Sequence, residues 1–114
     1  MGDCLFCKIV NGEIPADKVY SDEDVVAFRD IDPKAPVHVL VIPTSHIEKV
    51  ADLEEADKDV LMKMFLTANR VARDEGIAEN GYRLVFNNGK NAGQAVFHIH
   101  LHVLGGRALT WPPG

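Results

Sequence analysis

Apolar and polar positions along the chain follow two periodicities, one typical of helices and one typical of strands. The longest helical stripe has apolar residues at multiples of three or four positions: Leu53, Val60, Leu61, Met64, Phe65, Ala68, Val71 and Ala72. Asp52 and Glu55 have the spacing of a capping box at the start of this helix, and Gly76 predicts its end. A second, short helix is predicted over residues 4–11, and Gly12 stops it.

Five segments have the residue pattern of β-strands. Residues 19–21 and Val25–Arg29 flank a polar triplet and predict a hairpin. Residues 37–42 are nearly all apolar, which is typical of a strand covered on both faces. Residues 82–87 and 96–104 are predicted as two further strands. Because one main helix accompanies several strands without regular βαβ alternation, the sequence predicts an α+β fold with a largely antiparallel sheet.

Length and charge restrict the kinds of partner. The 114 residues fit a single domain, residues 1–114. Twelve Lys and Arg against seventeen Asp and Glu give a net charge of −5, which argues against nucleic acid and anionic membranes as partners. No apolar run approaches the ~20 residues of a membrane span. The beginning, Met1-Gly2-Asp3-Cys4, lacks the pattern of a signal peptide, so the expected location is cytoplasmic.

Three of the five histidines fall within five residues, at positions 98, 100 and 102. On a strand, His98, His100 and His102 share one face, whereas on a helix they would scatter. Together they provide a nucleophile, proton transfer and metal ligation near neutral pH. A solvent-facing polar strand is the plainer interpretation, but such faces normally use Thr, Ser, Lys or Glu. A His-x-His metal site also stays open on this pattern.

A Gly-rich loop, residues 88–94, immediately precedes the histidines. Its glycines let backbone N–H groups approach an anion closely. Taken alone this signal is weak, since most such segments are only turns. Beside three histidines, the combination indicates nucleophilic attack on phosphorus.

The residues from His98 to Leu104 resemble the His-φ-His-φ-His-φ-φ signature of the histidine triad superfamily, where φ is apolar. Further landmarks of that superfamily lie at residues 4–9, 13–16, 28–36 and 41–43, and the ending 104–114 resembles its Hint branch of nucleotide-binding proteins. The resemblance covers nearly the whole chain. It implies a histidine triad fold, a mainly antiparallel five-stranded sheet with one long and one short helix, and a homodimer whose sheets join across the interface.

The same resemblance implies hydrolysis of purine nucleoside 5′-phosphoramidates, in which AMP or GMP is linked to an amine. His100 matches the nucleophile that expels the amine and forms a nucleotidyl-histidine intermediate, which water then hydrolyses without a cofactor. His102 matches a histidine that contacts the phosphate and takes part in proton transfer. His38 matches the more distant member of that proton relay, and the resemblance gives His98 a supporting role. Two alternatives stay open: a dinucleoside polyphosphate hydrolase, and a nucleotide-binding or interaction protein with little catalysis.

The purine nucleoside monophosphate site can be assigned by the same resemblance. The ten assigned residues are Phe6, Ile9, Phe28 and Ile31 for the purine, Asp30 for the ribose hydroxyls, Asn87 and the amides of Gly93 and Val96 for the phosphate, Ala95 at the position next to the leaving group, and Trp111 against the neighbouring subunit's pocket. The four apolar residues are equally compatible with a core. Asp30 is different, because an acidic residue between apolar neighbours needs a partner if it is buried.

One position departs from the pattern, because the family's Gly-Gln-Ser is Gly93-Gln94-Ala95 in this chain. The missing hydroxyl normally reaches the atom that bridges phosphorus and amine. The substitution therefore predicts slower turnover of phosphoramidates with little effect on nucleotide binding.

Cys4 and Cys7 form a separate motif, the only two cysteines of the chain. A thioredoxin-like redox pair would need a βαβ context that the sequence lacks. The family resemblance adds His46 and His98 and implies a structural zinc with four N and S ligands. The plainer alternative is two reduced, packed thiols and a surface His46.

Overall fold

The computed structural model describes residues 3–114. Two helices, α1 (Leu5–Val10) and α2 (Lys58–Asp74), accompany five strands: β1 (Lys18–Ser21), β2 (Val25–Arg29), β3 (Val37–Pro43), β4 (Tyr82–Val85) and β5 (Leu101–Gly105). The strands form one sheet in the order β1-β2-β3-β5-β4, and every neighbouring pair is antiparallel. The predicted α+β fold with a five-stranded antiparallel sheet is confirmed.

Strands β2 and β3 are buried on both faces, which explains their nearly continuous apolar sequences. On one face their alternate residues pack against α2, in a core that includes Val25, Ala27, Val39, Val41, Met64, Ala68 and Val71. On the other face they pack against α1, in a core that includes Phe6, Ile9, Val26, Phe28, Leu40 and Ile42. This second face also carries the functional residues described below.

Helix α2 ends as predicted but begins later. Gly76 has a left-handed φ of 76°, which closes the helix. The helix begins at Lys58, directly after a 3₁₀ turn over Glu55–Asp57, and the reciprocal capping box of Glu54 and Asp57 belongs to that turn. The Asp52–Glu55 prediction is therefore wrong. The acidic residues of this segment satisfy the capping-box spacing twice, and the pair that forms the box caps the 3₁₀ turn that leads into α2.

The predicted strand over residues 96–104 is also too long at its start, since β5 begins at Leu101. Leu101 pairs with Val41, so Ile99 would pair next with Pro43. Pro43 has no N–H to donate, and its carbonyl accepts a hydrogen bond from the His98 ring at 2.9 Å. The Ile99 amide donates to the Ile47 carbonyl instead. The chain therefore joins the sheet only after His100.

Strand β4 is also shorter than predicted, since it ends at Val85, two residues before the predicted end.

Within residues 3–114, neither helix has the combination of length and apolar composition that crossing a bilayer requires.

Candidate functional site

Neighbouring strands β3 and β5 bring the distant His38 against His102. In the register His38 lies opposite Leu104, so His102 is its diagonal neighbour on the same face. His38 Nε2 lies 2.9 Å from His102 Nδ1. The ring of His100 follows, with its centroid 4.9 Å from that of His102. Three imidazoles thus form a row on the α1 side of the sheet.

The proton position on His100 is fixed by the backbone. Its Nδ1 lies 2.8 Å from the carbonyl oxygen of His98, and a carbonyl can only accept. Nδ1 therefore carries the proton, and Nε2 has a free lone pair. Because burial lowers the pKa of His100, the ring is neutral at pH 7, and the lone pair of Nε2 can act as a nucleophile.

A backbone amide fixes the other two rings. The Lys34 N–H donates to His38 Nδ1 at 3.0 Å, so the proton of His38 is on Nε2 and is donated to His102 Nδ1. His102 must then carry its own proton on Nε2. That Nε2 is buried and has no hydrogen-bond partner among residues 3–114. A buried donor without a partner marks a place where a ligand atom is expected.

Burial also controls the charge of this row. It lowers the pKa of His102 to about 4, with smaller contributions from His100 and His38. Burial lowers the pKa of His38 as well, although the Asp30 carboxylate partly opposes this shift. All three rings are therefore neutral near pH 7.

These shifts predict a pH dependence of stability. In the unfolded chain His102 takes up a proton near pH 6.5, whereas the folded protein takes it up only near pH 4. The unfolded state thus binds more protons in this window, so the free energy of unfolding should fall as the pH falls from 6.5 to about 4. Urea titrations across this range measure it. A His102→Asn variant should show a flatter profile, and an equally steep one would contradict the assignment.

A cavity of about 320 Å³ lies beside the row of histidines. Eight of the ten predicted nucleotide-binding residues line it together with His100 and His102, namely Phe6, Ile9, Phe28, Asp30, Ile31, Gly93, Ala95 and Val96. The sequence did not decide whether the four apolar residues belong to the core or to the pocket. Phe6, Ile9 and Phe28 belong to the α1-side core and also line the cavity. Ile31 lies at the rim of the cavity and is 99% exposed.

A second cavity, of about 460 Å³, adjoins the first and shares Asp30, Gly93 and His102 with it. Asn87 and His38 line only this second cavity. Trp111 lines neither cavity of its own chain and is 80% exposed. The cavity walls also include several residues that the sequence did not single out: Leu5, Ile14, Pro15, Ala16, Leu40, Asp32 and Lys34. All of these except Leu40 lie within the family landmarks at residues 4–9, 13–16 and 28–36, and that was the available signal.

Asp30 has the partner that its position between apolar residues required. Its Oδ1 accepts a hydrogen bond from the Asp32 amide at 2.9 Å, and its Oδ2 lies 3.5 Å from His38 Nε2. The carboxylate is thereby held at the boundary of the two cavities.

The Gly-rich loop is braced from inside. The buried Gln94 side chain accepts from the Gly89 amide at 2.8 Å and donates to the carbonyls of Glu48 and Val96. Gly93 has a left-handed φ of 88°, which explains glycine at this position. Its amide donates to the Lys90 carbonyl at 3.0 Å and is therefore already engaged within the loop.

The cysteine motif lies against His98, and neither cysteine lines the two cavities. Cys4 Sγ is 3.4 Å from His98 Nδ1, and Cys7 Sγ is 3.3 Å from His46 Nδ1. The four ligand atoms all lie within 4.8 Å of one another. Ligands bound tetrahedrally at 2.0–2.3 Å lie roughly 3.3–3.8 Å apart, so this cluster has the dimensions of a metal site.

The protonation of His98 also fits metal binding. Its Nε2 donates to the Pro43 carbonyl at 2.9 Å, so the lone pair of Nδ1 points toward the two thiols. Asp30, His38 and His102 converge as well. That second group does not fit a metal, because the Lys34 amide keeps the proton on His38 Nε2, the atom that would have to coordinate.

Comparison with known proteins is consistent with this geometry. The HIT domain family model matches residues 11–109. A HIT family hydrolase from Legionella pneumophila is 53% identical, with a TM-score of 0.97 over 98% of this chain and 100% of that chain. An uncharacterized HIT-like protein of Synechococcus elongatus is 48% identical over 98% of this chain and 97% of its own length. A histidine triad nucleotide-binding protein from Candida albicans is 33% identical, with a TM-score of 0.83 over 96% and 83% of the two chains.

The chain therefore belongs to the HIT domain family. The family predicted from residues 98–104 is confirmed.

Proposed function

We propose that the protein is a hydrolase of the Hint branch that cleaves the P–N bond of purine nucleoside 5′-phosphoramidates through a nucleotidyl-histidine at His100. One observation carries this proposal: the cavity wall presents a free imidazole lone pair on His100 and a buried, unpartnered N–H on His102. The first group is a nucleophile, and the second is a hydrogen-bond donor for a phosphoryl oxygen.

In the first step His100 Nε2 forms a bond to the α-phosphorus and the P–N electron pair leaves with the amine. His102 Nε2–H stabilises the charge that shifts onto a phosphoryl oxygen. The His38–His102 pair holds only one proton per ring, so giving one away would leave an imidazolate. The leaving nitrogen therefore takes its proton from a water molecule, and the paired rings serve to orient the donor. The hydroxide left by that water attacks the phosphorus and breaks its bond to His100 Nε2, which releases the nucleotide and restores the neutral ring.

The rest of the cavity suits a purine nucleotide. Phe6 packs edge-on against Phe28 with ring centroids 5.5 Å apart, and both rings line the cavity as an apolar surface for a base. The Candida albicans relative is a nucleotide-binding protein, which supports the same ligand class. In this proposal Asp30 binds the ribose hydroxyls, and the Val96 amide and Asn87 bind the phosphate; all three residues line the two cavities.

Asp30→Ala should raise the Kd for AMP about 10- to 100-fold, because a charge-assisted hydrogen bond to the ribose is lost. Isothermal titration calorimetry measures this change. A 2′,3′-dideoxy AMP has no such hydroxyls and should bind wild type and variant alike. An equal loss of affinity for both ligands would rule out the ribose contact.

Ala95→Ser should raise kcat on an AMP-amine substrate about tenfold, since the added hydroxyl reaches the bridging nitrogen and a hydrogen bond there contributes about 1.4 kcal/mol. Steady-state kinetics measures this, with the Kd for AMP unchanged. Ala92→Ser is the matched control, because this alanine lies three residues before Ala95 but lines neither cavity. If kcat does not rise, the missing hydroxyl is not what limits turnover.

A second candidate, a dinucleoside polyphosphate hydrolase, is favoured by Ala95 itself. A phosphate leaving group departs without a proton, whereas an amine leaving group needs one. The missing hydroxyl at position 95 therefore slows the departure of a phosphate less than that of an amine. Parallel assays with AMP-lysine and with diadenosine polyphosphate separate the two functions.

For the Cys4, Cys7, His46 and His98 cluster we propose zinc as the metal. Two thiolates with two imidazoles are ligands that zinc favours, and four protein ligands leave no position for substrate. The zinc would tie α1 and the loop after β3 to the segment before β5, and it supplies no step of the reaction.

We further propose a homodimer that forms along β4. Strand β4 lies at one edge of the sheet and is joined to helix α2 by the hydrogen bond from the Tyr82 hydroxyl to Asn69. Met62 and Leu66, which precede Asn69 by two turns and one turn, are exposed on that helix. An edge strand beside exposed apolar side chains is suited to a second copy. Trp111, which lines neither cavity of its own chain, would then be available to the partner's cavity.

A further inference from the structure

The loop of residues 30–36, between β2 and β3, sets the protonation of the histidine row. It carries the Asp30 carboxylate and the Lys34 amide, whose hydrogen bond to His38 Nδ1 keeps the proton of His38 on Nε2. Most residues of this loop are exposed, and Ala35 is the one buried side chain in it. A loop with so little packing needs another contact to keep that amide aligned.

The chain after β5 supplies this contact. Arg107 Nη2 donates to the Lys34 carbonyl at 2.9 Å, while Nη1 donates to the Ala108 carbonyl at 3.0 Å. Gly106 has a left-handed φ of 92°, and a Cβ there would lie 2.9 Å from Pro36 Cβ. The backbone at Gly106 therefore lies directly against the end of the loop, and the guanidinium reaches its middle.

We propose that Arg107 is a positioning residue for the His38–His102 pair, an inference that rests on the proposed function of that pair. The bond from Arg107 to the Lys34 carbonyl restricts rotation about the Lys34 Cα. Pro33 and Pro36 limit the rest of the loop. The Lys34 N–H is thus held on His38 Nδ1, and His102 presents N–H, rather than a lone pair, to the substrate.

The experiment is ¹⁵N NMR of the imidazole rings at about pH 8, where the rings are neutral. In the wild type, His38 and His102 should both show the Nε2–H pattern. In Arg107→Met the His38 signals should move toward an average of the two neutral forms. Arg107→Lys keeps a donor and should lie nearer the wild type. Arg83→Met is the matched control, because Arg83 donates a hydrogen bond of the same kind, at 2.9 Å, to the Thr110 carbonyl and not to residues 30–36.

Three results would overturn the proposal. The first is that the ring signals of Arg107→Met are those of the wild type. The second is that Arg83→Met shows the same change as Arg107→Met, which would indicate a general loosening of the C-terminal segment. The third is that Arg107→Lys and Arg107→Met change the signals equally. These spectra need no substrate, so they test the inference even if phosphoramidates are not hydrolysed. If phosphoramidates are hydrolysed, the kcat of Arg107→Met should fall about fivefold with an unchanged Kd for AMP.

Discussion

Replacing His100 with asparagine is expected to reduce kcat for AMP-amine hydrolysis by about 10⁴-fold or more, because the variant has no nucleophile to split the displacement into two steps. Asparagine still offers an N–H that can bond to the His98 carbonyl as the imidazole does. The Kd for AMP should therefore change little. Steady-state kinetics and calorimetry on the same preparation measure both quantities.

His102→Asn is the informative comparison for this prediction. It removes the donor to the phosphoryl oxygen but leaves the nucleophile, so its kcat should fall only about 10²- to 10³-fold. A His100→Asn variant that is as active as His102→Asn, or more active, would show that the middle histidine is not the attacking group.

Removing the metal is expected to cause the second large effect. Metal that binds only the folded state at a free concentration 1,000-fold above its Kd stabilises a protein by about 4 kcal/mol. A chelator should lower the free energy of unfolding by that order, because Cys4, Cys7, His46 and His98 join three separate segments of the chain. Denaturant titrations with and without chelator, together with elemental analysis, measure the effect and identify the metal.

The Cys4→Ala/Cys7→Ala double variant controls for unspecific effects of the chelator, and its stability should not respond to chelation. Metal-free preparations of wild type with full stability would contradict the site. Since His98 contributes its ring to the cluster and its carbonyl to His100 Nδ1, loss of metal should also lower kcat.

The sequence predicted the sheet and the helices where one physical factor dominated. Apolar periodicity identified α2, and double burial identified β2 and β3. The prediction failed where two alternatives had the same sequence pattern, as with the two acidic pairs before Lys58 that have the spacing of a capping box. It also failed at the start of β5, where a tertiary contact overrode the alternation of the strand, since the carbonyl of Pro43 accepts a hydrogen bond from the His98 ring rather than from the next residue of the ladder.

The candidate site was predictable in its side chains but not in its protonation. The spacing of His98, His100 and His102 indicated their chemistry, and the family resemblance added His38. The groups that choose each tautomer are the His98 carbonyl and the Lys34 amide. Backbone groups of this kind exist at every residue, so no sequence pattern marks them, and Arg107 acts only through one of them.

The proposed mechanism requires His100 to become covalently attached to the nucleotide. Rapid quenching of His102→Asn with an AMP-amine substrate, followed by mass spectrometry of the peptide containing residues 98–102, tests it most directly. We expect one adenylyl group on this peptide, localised to His100 by fragmentation, and we expect it to form and decay at least as fast as turnover. Turnover without any such adduct, or an adduct on another residue, would contradict it.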